Sequence, residues 1–258
     1  MFTNINTSAI DSNISFSIII VVKNNFLGLR KTLYSLADQS LQQFNVIIVD
    51  GQSDDGTLNC LPDFNDTFQS LKVISEPDRN VYHAMNKGIN LSNDQFLIFL
   101  NSGDIFFDNK TFFNIKKFIT CDQQVHDVYY GDSIIRFPSY DEFREGNILL
   151  NRFIHQSIIY KKSLHLSCGN YIDCHPITIS DYIFFKNLSS TIFKKINMII
   201  SINESGGISD SLKSFRQYIF FNYLYGHISF FRMLCIYAVH PYYKFLKRFL
   251  SNKNHEIR

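Results

Sequence analysis

The 258-residue chain carries 25 Lys and Arg against 23 Asp and Glu, with 45% hydrophobic and 19% charged residues. These are the proportions of a globular protein with one sizeable core, and they exclude both a disordered chain and a pair of independent catalytic domains. The net charge of +2 hides a split, because residues 211–258 hold eight basic residues against the single acid Glu256 and so carry +7, leaving −5 for the rest. Five scattered cysteines (Cys60, Cys121, Cys168, Cys174, Cys235), odd in number and without a C-x-x-C pair, argue against a disulfide framework and for a reducing cytosol. Met1 to Ser15 is polar, lacks the basic-then-apolar layout of a secretory signal, and reads as a short disordered leader.

Phe16 to Val22 (FSIIIVV) is a continuous apolar, β-branched run, which predicts a strand buried on both faces of a parallel sheet. Leu29, Leu33 and Leu36 then recur at helical spacing up to the break near Ser40, completing a βα unit. Asn45 to Asp50 (NVIIVD) predicts a second strand that ends on an acid and enters the polar turn Gly51 to Thr57, able to cap a helix after it. A weaker strand near Leu71 to Ser75 leads through the turn EPDRN to a helix over Val81 to Leu91, with Ala84, Met85, Gly88 and Ile89 toward the sheet. Gln95 to Leu100 predicts a fourth strand, closing on Asn101-Ser102-Gly103-Asp104. Beyond residue 125 the pattern loosens: strands are expected at Asp127 to Ile135 and Ile154 to Tyr160, and a helix at Ser180 to Leu188.

The tail, residues 211–258, crowds thirteen Phe and Tyr around its basic residues. No uncharged stretch of about 18 residues interrupts it, so a spanning helix is not expected. A basic aromatic segment of this kind fits the anionic surface of a membrane better than nucleic acid, which is not expected as a partner; the alternative is that its aromatics pack as ordinary core.

Asp50 and Asp104 each follow a buried strand at the carboxyl edge of the predicted sheet, where open α/β sheets bind ligands. Two carboxylates there suit a hard divalent cation bridging phosphate oxygens, or a hydrogen bond to a base or ribose; an Asp at that position also simply starts a turn. His165, Cys168, Cys174 and His175 are zinc-ligand types in a spacing that matches no zinc pattern, and buried thiols with surface imidazoles are the expectation there. Gly206-Gly207-Ile208-Ser209 lacks the context of a phosphate loop and reads as a mobile loop.

The order FSIIIVVKNN, FNVIIVDGQSDDGT, SEPDRNVYHAMNKGI, FLIFLNSGD resembles family 2 glycosyltransferases, particularly those building bacterial capsule, exopolysaccharide or O-antigen repeats. The resemblance covers residues 16–108 and continues faintly through FIHQSIIY, ISDYIFF and ESGGIS. It implies a GT-A fold: an α/β domain over residues 14–210 with a mostly parallel central sheet flanked by helices, followed by a helical tail over 211–258. It also implies roles. Asp50 would accept hydrogen bonds from a uracil-like base in a pocket lined by the backbone around Val22 and Asn24, and Asp78 would face the nucleotide or its diphosphate with Lys87 adding positive charge. Asp104 matches the last acid of the metal-binding motif and would hold Mg²⁺ or Mn²⁺, although Asn101, Ser102 and Gly103 stand where many relatives have a second acid. Asp181 matches the general base, with capping of its own helix as the alternative role. His155 and Gln156 would position the acceptor, and the loop at Gly206 would lie over the donor.

The implied activity is inverting transfer of a sugar from a nucleotide-sugar donor, a UDP-sugar foremost, to a glycan or lipid-linked acceptor, at the inner face of the cell membrane. A thymidine or guanosine diphosphate sugar stays open as donor. The rival is a catalytically silent relative that binds nucleotide or glycan as a scaffold, which the thinned metal motif favours. A nucleotidylyltransferase would need a Gly-rich phosphate loop after the first strand, and Lys23-Asn24-Asn25-Phe26 does not supply one.

Overall fold

The computed structural model describes residues 14–64, 66–147, 154–207 and 211–239. Two compact units divide the chain: the first takes residues up to Cys174 together with Ser180–Ser205, and the second takes His175–Ile179 and the chain from Gly206 onward.

In the first unit the strands β1 (Phe16–Val22), β2 (Asn45–Asp50), β3 (Ser70–Ser75) and β4 (Phe96–Phe99) pair in parallel in the order β3-β2-β1-β4. The sheet continues past β4 with β8 (Ile158–Lys161), β6 (Val128–Arg136), β9 (Phe193–Glu204) and β5 (Ile105–Phe106), and β7 (Asp141–Arg144) pairs with β6. The apolar run of β1 is buried at every position because its side chains alternate between two covered faces. Ile18, Ile20 and Val22 lie under α1 (Phe26–Ala37) and α3 (Thr111–Cys121). Ile19 and Val21 lie under α2 (Val81–Leu91), beside a cluster that includes Phe184 and Phe185 of α5 (Ser180–Lys186).

The two crossover helices start where the sequence provides caps. Asn25 accepts from Gly28 N at 3.0 Å to open α1, and Asn80 accepts from His83 N at 3.0 Å to open α2. Register decides where the site forms. Val22 pairs with Asp50, so the loops after β1 and β2 leave the sheet together. The chain after β4 keeps following β1, with Leu100 N bonded to Ile19 O at 3.0 Å and Ser102 N to Val21 O at 3.3 Å.

Several segments differ from the sequence reading. Residues 155–157, expected as the start of a strand, form a single 3₁₀ turn closed by Ser157 N to Ile154 O at 2.8 Å, and β8 begins only at Ile158. The turn forms because Ser157 Oγ bonds inward to Asp132 O and Ser201 Oγ, which pulls the backbone off the extended path. Helix α3 and the 12-residue β9 went unread: Lys194, Lys195 and Asn197 break up the apolar pattern of β9, whose well-buried part is the run Ile200–Asn203.

The second unit contains α6 (Leu212–Leu224), capped by Ser211 accepting from Ser214 N at 3.1 Å, and a helical run over residues 230–239. Tyr237 Oη bonds back to Arg216 O at 2.7 Å within this unit.

Helix α2 lies unusually close to the sheet: a Cβ placed on Gly88 would fall 2.4 Å from Ile19 Cγ2. Although Ala is the better helix former, Gly88→Ala is expected to lower stability by about 1–3 kcal/mol through overpacking, measured by urea unfolding.

Candidate active site

The candidate site gathers at the carboxyl ends of the parallel strands. After β1 and β2 the chain turns through two non-glycine residues with left-handed backbone, Asn24 (φ 49°) and Gln52 (φ 59°), a conformation that few side chains adopt and that recurs at functional turns. The two loops are laced together: Asn24 N donates to Ser53 Oγ at 2.8 Å, Asp54 N donates to Asn24 Oδ1 at 3.1 Å, and Gly51 N donates to the Val22 carbonyl at 2.9 Å.

Asp50 is 0% exposed. Its carboxylate accepts from Ser53 N at 2.9 Å and Ser75 Oγ at 2.6 Å, and also from Ser53 Oγ. These three bonds leave Oδ1 with one acceptor site unused. Asp78 lies alongside, its Oδ2 3.5 Å from the position a Cβ on Gly51 would take. Its charge is met by Lys87 Nζ at 2.7 Å, which also pairs with Glu76 at 2.8 Å, and His83 Nδ1 stands 3.1 Å away. Lys87 thus neutralises acids of its own chain before it meets any ligand.

The turn after β4 is pinned by Thr32 of α1, whose hydroxyl accepts from Gly103 N at 2.9 Å and donates to Asp104 O at 2.8 Å. Gly103 sits at φ 106°, a backbone state that leaves little choice but glycine. This turn carries Asp104 inward, only 6% exposed, where it accepts from Gln156 Nε2 and from Glu204 N, each at 3.0 Å. Burial raises its pKa to about 7, with the nearby Glu204 adding to the effect and the two hydrogen bonds opposing it. Asn101 Oδ1, on the same turn, is buried without a hydrogen-bond partner among the described residues. No three His, Cys, Asp or Glu side chains come together there as a ready-made cation site, again among the described residues. A carboxylate with spare lone pairs and an unpartnered amide oxygen nonetheless suit a hard ion that keeps most of its water.

Asp181 sits in the first turn of α5. Tyr82 of α2 donates to its Oδ1 at 2.7 Å, while Oδ2 is turned toward His155 Nδ1 at 3.8 Å. The sequence reading therefore placed Asp104 with Gln156, and Asp181 with His155, in one neighbourhood without seeing either contact. It missed Tyr82, Thr32, Glu204 and Tyr171, although Tyr82 lies inside SEPDRNVYHAMNKGI and Glu204 opens ESGGIS, two of the stretches that carry the resemblance. At His165 the expectation is reversed. The imidazole is buried, bonded to Tyr160 Oη and the Gly169 carbonyl at 3.0 Å each, while Cys168 and Cys174 are exposed. Helix α4 (Leu164–Cys168) and the turn at Gly169 fold the ring inward and leave the Cys168 thiol outside.

Residues 17–171 match Glycosyl transferase family 2. A PGL/p-HBAD biosynthesis glycosyltransferase of Mycobacterium tuberculosis is 31% identical over 206 residues, 76% of this chain and 80% of the relative. The amylovoran biosynthesis glycosyltransferase AmsB of Erwinia amylovora is 35% identical over 95 residues, 36% of this chain and 32% of the relative. Among solved structures, S. aureus TarS 1–349 in complex with UDP-GlcNAc superposes with a TM-score of 0.64 at 18% identity, over 80% of this chain and 64% of that one. The mannosyltransferase PcManGT of Pyrobaculum calidifontis, in complex with GDP-Man and Mn²⁺, superposes at 0.57 and 12% identity, over 81% of this chain and 61% of its own. Both structures share the GT-A fold with this chain.

An Asp titrates near 3.9 in an unfolded chain, whereas Asp104 holds its proton up to about 7 in the folded protein. Between those values the folded state binds the extra proton, so this group's contribution to stability falls as pH rises and is lost above about 7. Asp104→Asn can keep the bond from Glu204 N and reverse the one with Gln156. It is expected to melt higher than the wild type above pH 7, with the difference vanishing below about pH 4, as read by differential scanning calorimetry across pH.

Proposed function

Since the chain belongs to Glycosyl transferase family 2, we propose that it moves one sugar, with inversion, from a nucleotide-sugar donor, a UDP-sugar foremost, onto a hydroxyl of a glycan or lipid-linked acceptor in bacterial surface polysaccharide synthesis. The observation that carries this reading is Asp181, whose one oxygen is fixed by Tyr82 and whose other faces His155 Nδ1 at 3.8 Å. A carboxylate held that way can take the proton of an attacking hydroxyl, and one attack by that hydroxyl on the anomeric carbon inverts it.

The donor's nucleotide is assigned to the cleft between the loops after β1 and β2, bounded by Val22, Asn24, Asp50 and Asp78. The rigid lacing of those loops supports the assignment. Lys87, paired with Asp78, would add positive charge toward the diphosphate. Asp104, with Asn101, would hold Mg²⁺ or Mn²⁺; a bound ion supplies positive charge against the departing nucleoside diphosphate. Gln156, bonded to Asp104, and His155, facing Asp181, tie the donor side to the acceptor side through consecutive residues. The surface-glycan assignment draws on the relatives' roles in PGL/p-HBAD and amylovoran biosynthesis.

The second unit is read as a peripheral contact with the cytoplasmic face of the membrane. No helix among the described residues is long and apolar enough to cross one. Phe220, Phe230 and Phe231 are nevertheless exposed, Phe231 at 76%, in a unit that also carries exposed Arg216 and Arg232. Lys244, Lys247 and Arg248, further basic residues of the tail, lie outside the described residues.

A scaffold without catalysis is favoured by one observation: both oxygens of Asp104 are already engaged. The readings part under test. A panel of nucleotide sugars, with and without Mn²⁺, is expected to raise the melting temperature for the true donor, and that donor is then turned over. In Asp181→Asn the donor-dependent shift should persist while transfer falls by about 10²–10⁴-fold; binding of a donor with no turnover by the wild type supports the scaffold. For the second unit, flotation is expected with vesicles containing anionic lipid, weakened by salt and reduced in the Phe230→Ser, Phe231→Ser double variant. Flotation unaffected by either change would contradict the membrane reading.

A further inference from the structure

A chain of hydrogen bonds, buried for most of its length, runs from the Gly169 carbonyl to His155, which faces Asp181, and its direction is fixed from the far end. The carbonyl can only accept, so His165 Nδ1, 3.0 Å away, carries a proton. Burial lowers the pKa of His165 to about 4, so the ring is neutral and its Nε2 is bare. Tyr160 Oη, at 3.0 Å, must therefore donate to that Nε2. With its proton spent, Tyr160 accepts from Tyr171 Oη at 2.8 Å. Tyr171 in turn has no proton left for His155, so His155 Nε2, at 3.1 Å, must be the donor. Burial lowers the pKa of His155 as well, with Asp181 opposing the shift. The ring is enclosed by Phe99, Tyr171 and Phe185, with centroids 4.7, 5.6 and 5.7 Å away, and Asp181 is the charged group it faces. Neutral and protonated on Nε2, His155 presents a bare Nδ1 to Asp181 Oδ2 at 3.8 Å. Two acceptors face each other across a gap that neither can close alone.

We propose that His155 Nδ1 and Asp181 Oδ2 form a paired acceptor for the proton of the attacking hydroxyl, its polarity set by the chain His155–Tyr171–Tyr160–His165–Gly169. The inference deepens the assignment of Asp181 as the base and rests on it for its chemical consequence. As the acceptor oxygen bonds to the anomeric carbon and the diphosphate leaves with the bonding pair, the hydroxyl proton passes to Asp181 Oδ2. The new O–H then meets a lone pair on His155, so the proton gains a hydrogen bond on arrival that the ionised carboxylate lacked. Tyr82 keeps Oδ1 occupied throughout, which leaves Oδ2 as the oxygen that takes the proton.

Neither decisive measurement needs substrate. Nitrogen-detected correlation spectra of the ¹⁵N-histidine-labelled wild type at neutral pH are expected to show His155 with a bare Nδ1 and a protonated Nε2, and His165 with the opposite tautomer; a protonated Nδ1 on His155 overturns the proposal. In Asp181→Asn the amide oxygen can accept from Tyr82 while its NH₂ donates to His155 Nδ1, turning a mismatch into a bond. Its melting temperature is expected to rise by about 2–4 °C, the shift of roughly one hydrogen bond in a protein of this size. If His155 instead donates to the carboxylate, the same substitution removes a charge-assisted bond and the melting temperature falls, which overturns the proposal independently. Loss of the base assignment would appear separately, as undiminished transfer by Asp181→Asn, and would leave the tautomer result standing while removing its catalytic meaning.

Discussion

A parallel sheet covered on both faces offers polar chemistry nowhere to go but its ends, and this protein is organised around that restriction. Ile18, Ile20 and Val22 point into one helical layer and Ile19 and Val21 into the other, so no side chain in the middle of β1 can meet water. Parallel pairing then delivers every loop of one kind to one edge. The opposite edge shows what happens where no ligand is expected: Asp94 is consumed by Ser17 and by Asn45 Nδ2 at 2.8 and 3.0 Å, a closed polar clamp. At the carboxyl edge the same residue type is put to several uses. Asp50 is a structural staple, Asp78 an ion-pair partner, Asp104 a buried acid close to neutrality and Asp181 a carboxylate with one oxygen facing His155.

How far the sequence discloses this depends on whether the information is local. The strand Phe16–Val22 and the helix Val81–Leu91 have the expected bounds, because an unbroken β-branched run and an Asn cap before a periodic segment are signals carried by neighbours in the chain. Gly88 could be placed against the sheet for the same reason. Strand β9 could not, since its pairing with β6 includes a register irregularity near Asp132 and its lysines disrupt the alternation. For the site, residue type and order suggested Asp104 and Asp181, but the decisive features are contacts between residues far apart in sequence. Tyr82 reaches across 99 positions to Asp181, and Glu204 across 100 to Asp104. A tyrosine on a helix face that packs on the core reads as an apolar residue until its hydroxyl finds a partner.

The same contrast bears on Asp50. An acid at the end of a strand signals either a ligand or a turn, and here the Ser53 N–H, the Ser53 hydroxyl and the Ser75 hydroxyl converge on one carboxylate. Buried carboxylates are tolerable only when satisfied in this way.

The left-handed residues Asn24 and Gln52 carry a further consequence. A loop that must adopt its bound shape on meeting a ligand loses about 1–2 kcal/mol of backbone freedom per residue ordered, and that loss subtracts from affinity. Here the Asn24 side chain, the Ser53 hydroxyl and the Asp50 carboxylate already hold the two loops in their unusual conformation in the free protein. The entropy of ordering them is lost during folding, so it does not have to be lost again when anything meets these loops. The same rigidity makes position 52 intolerant of β-branched residues, which the left-handed backbone excludes.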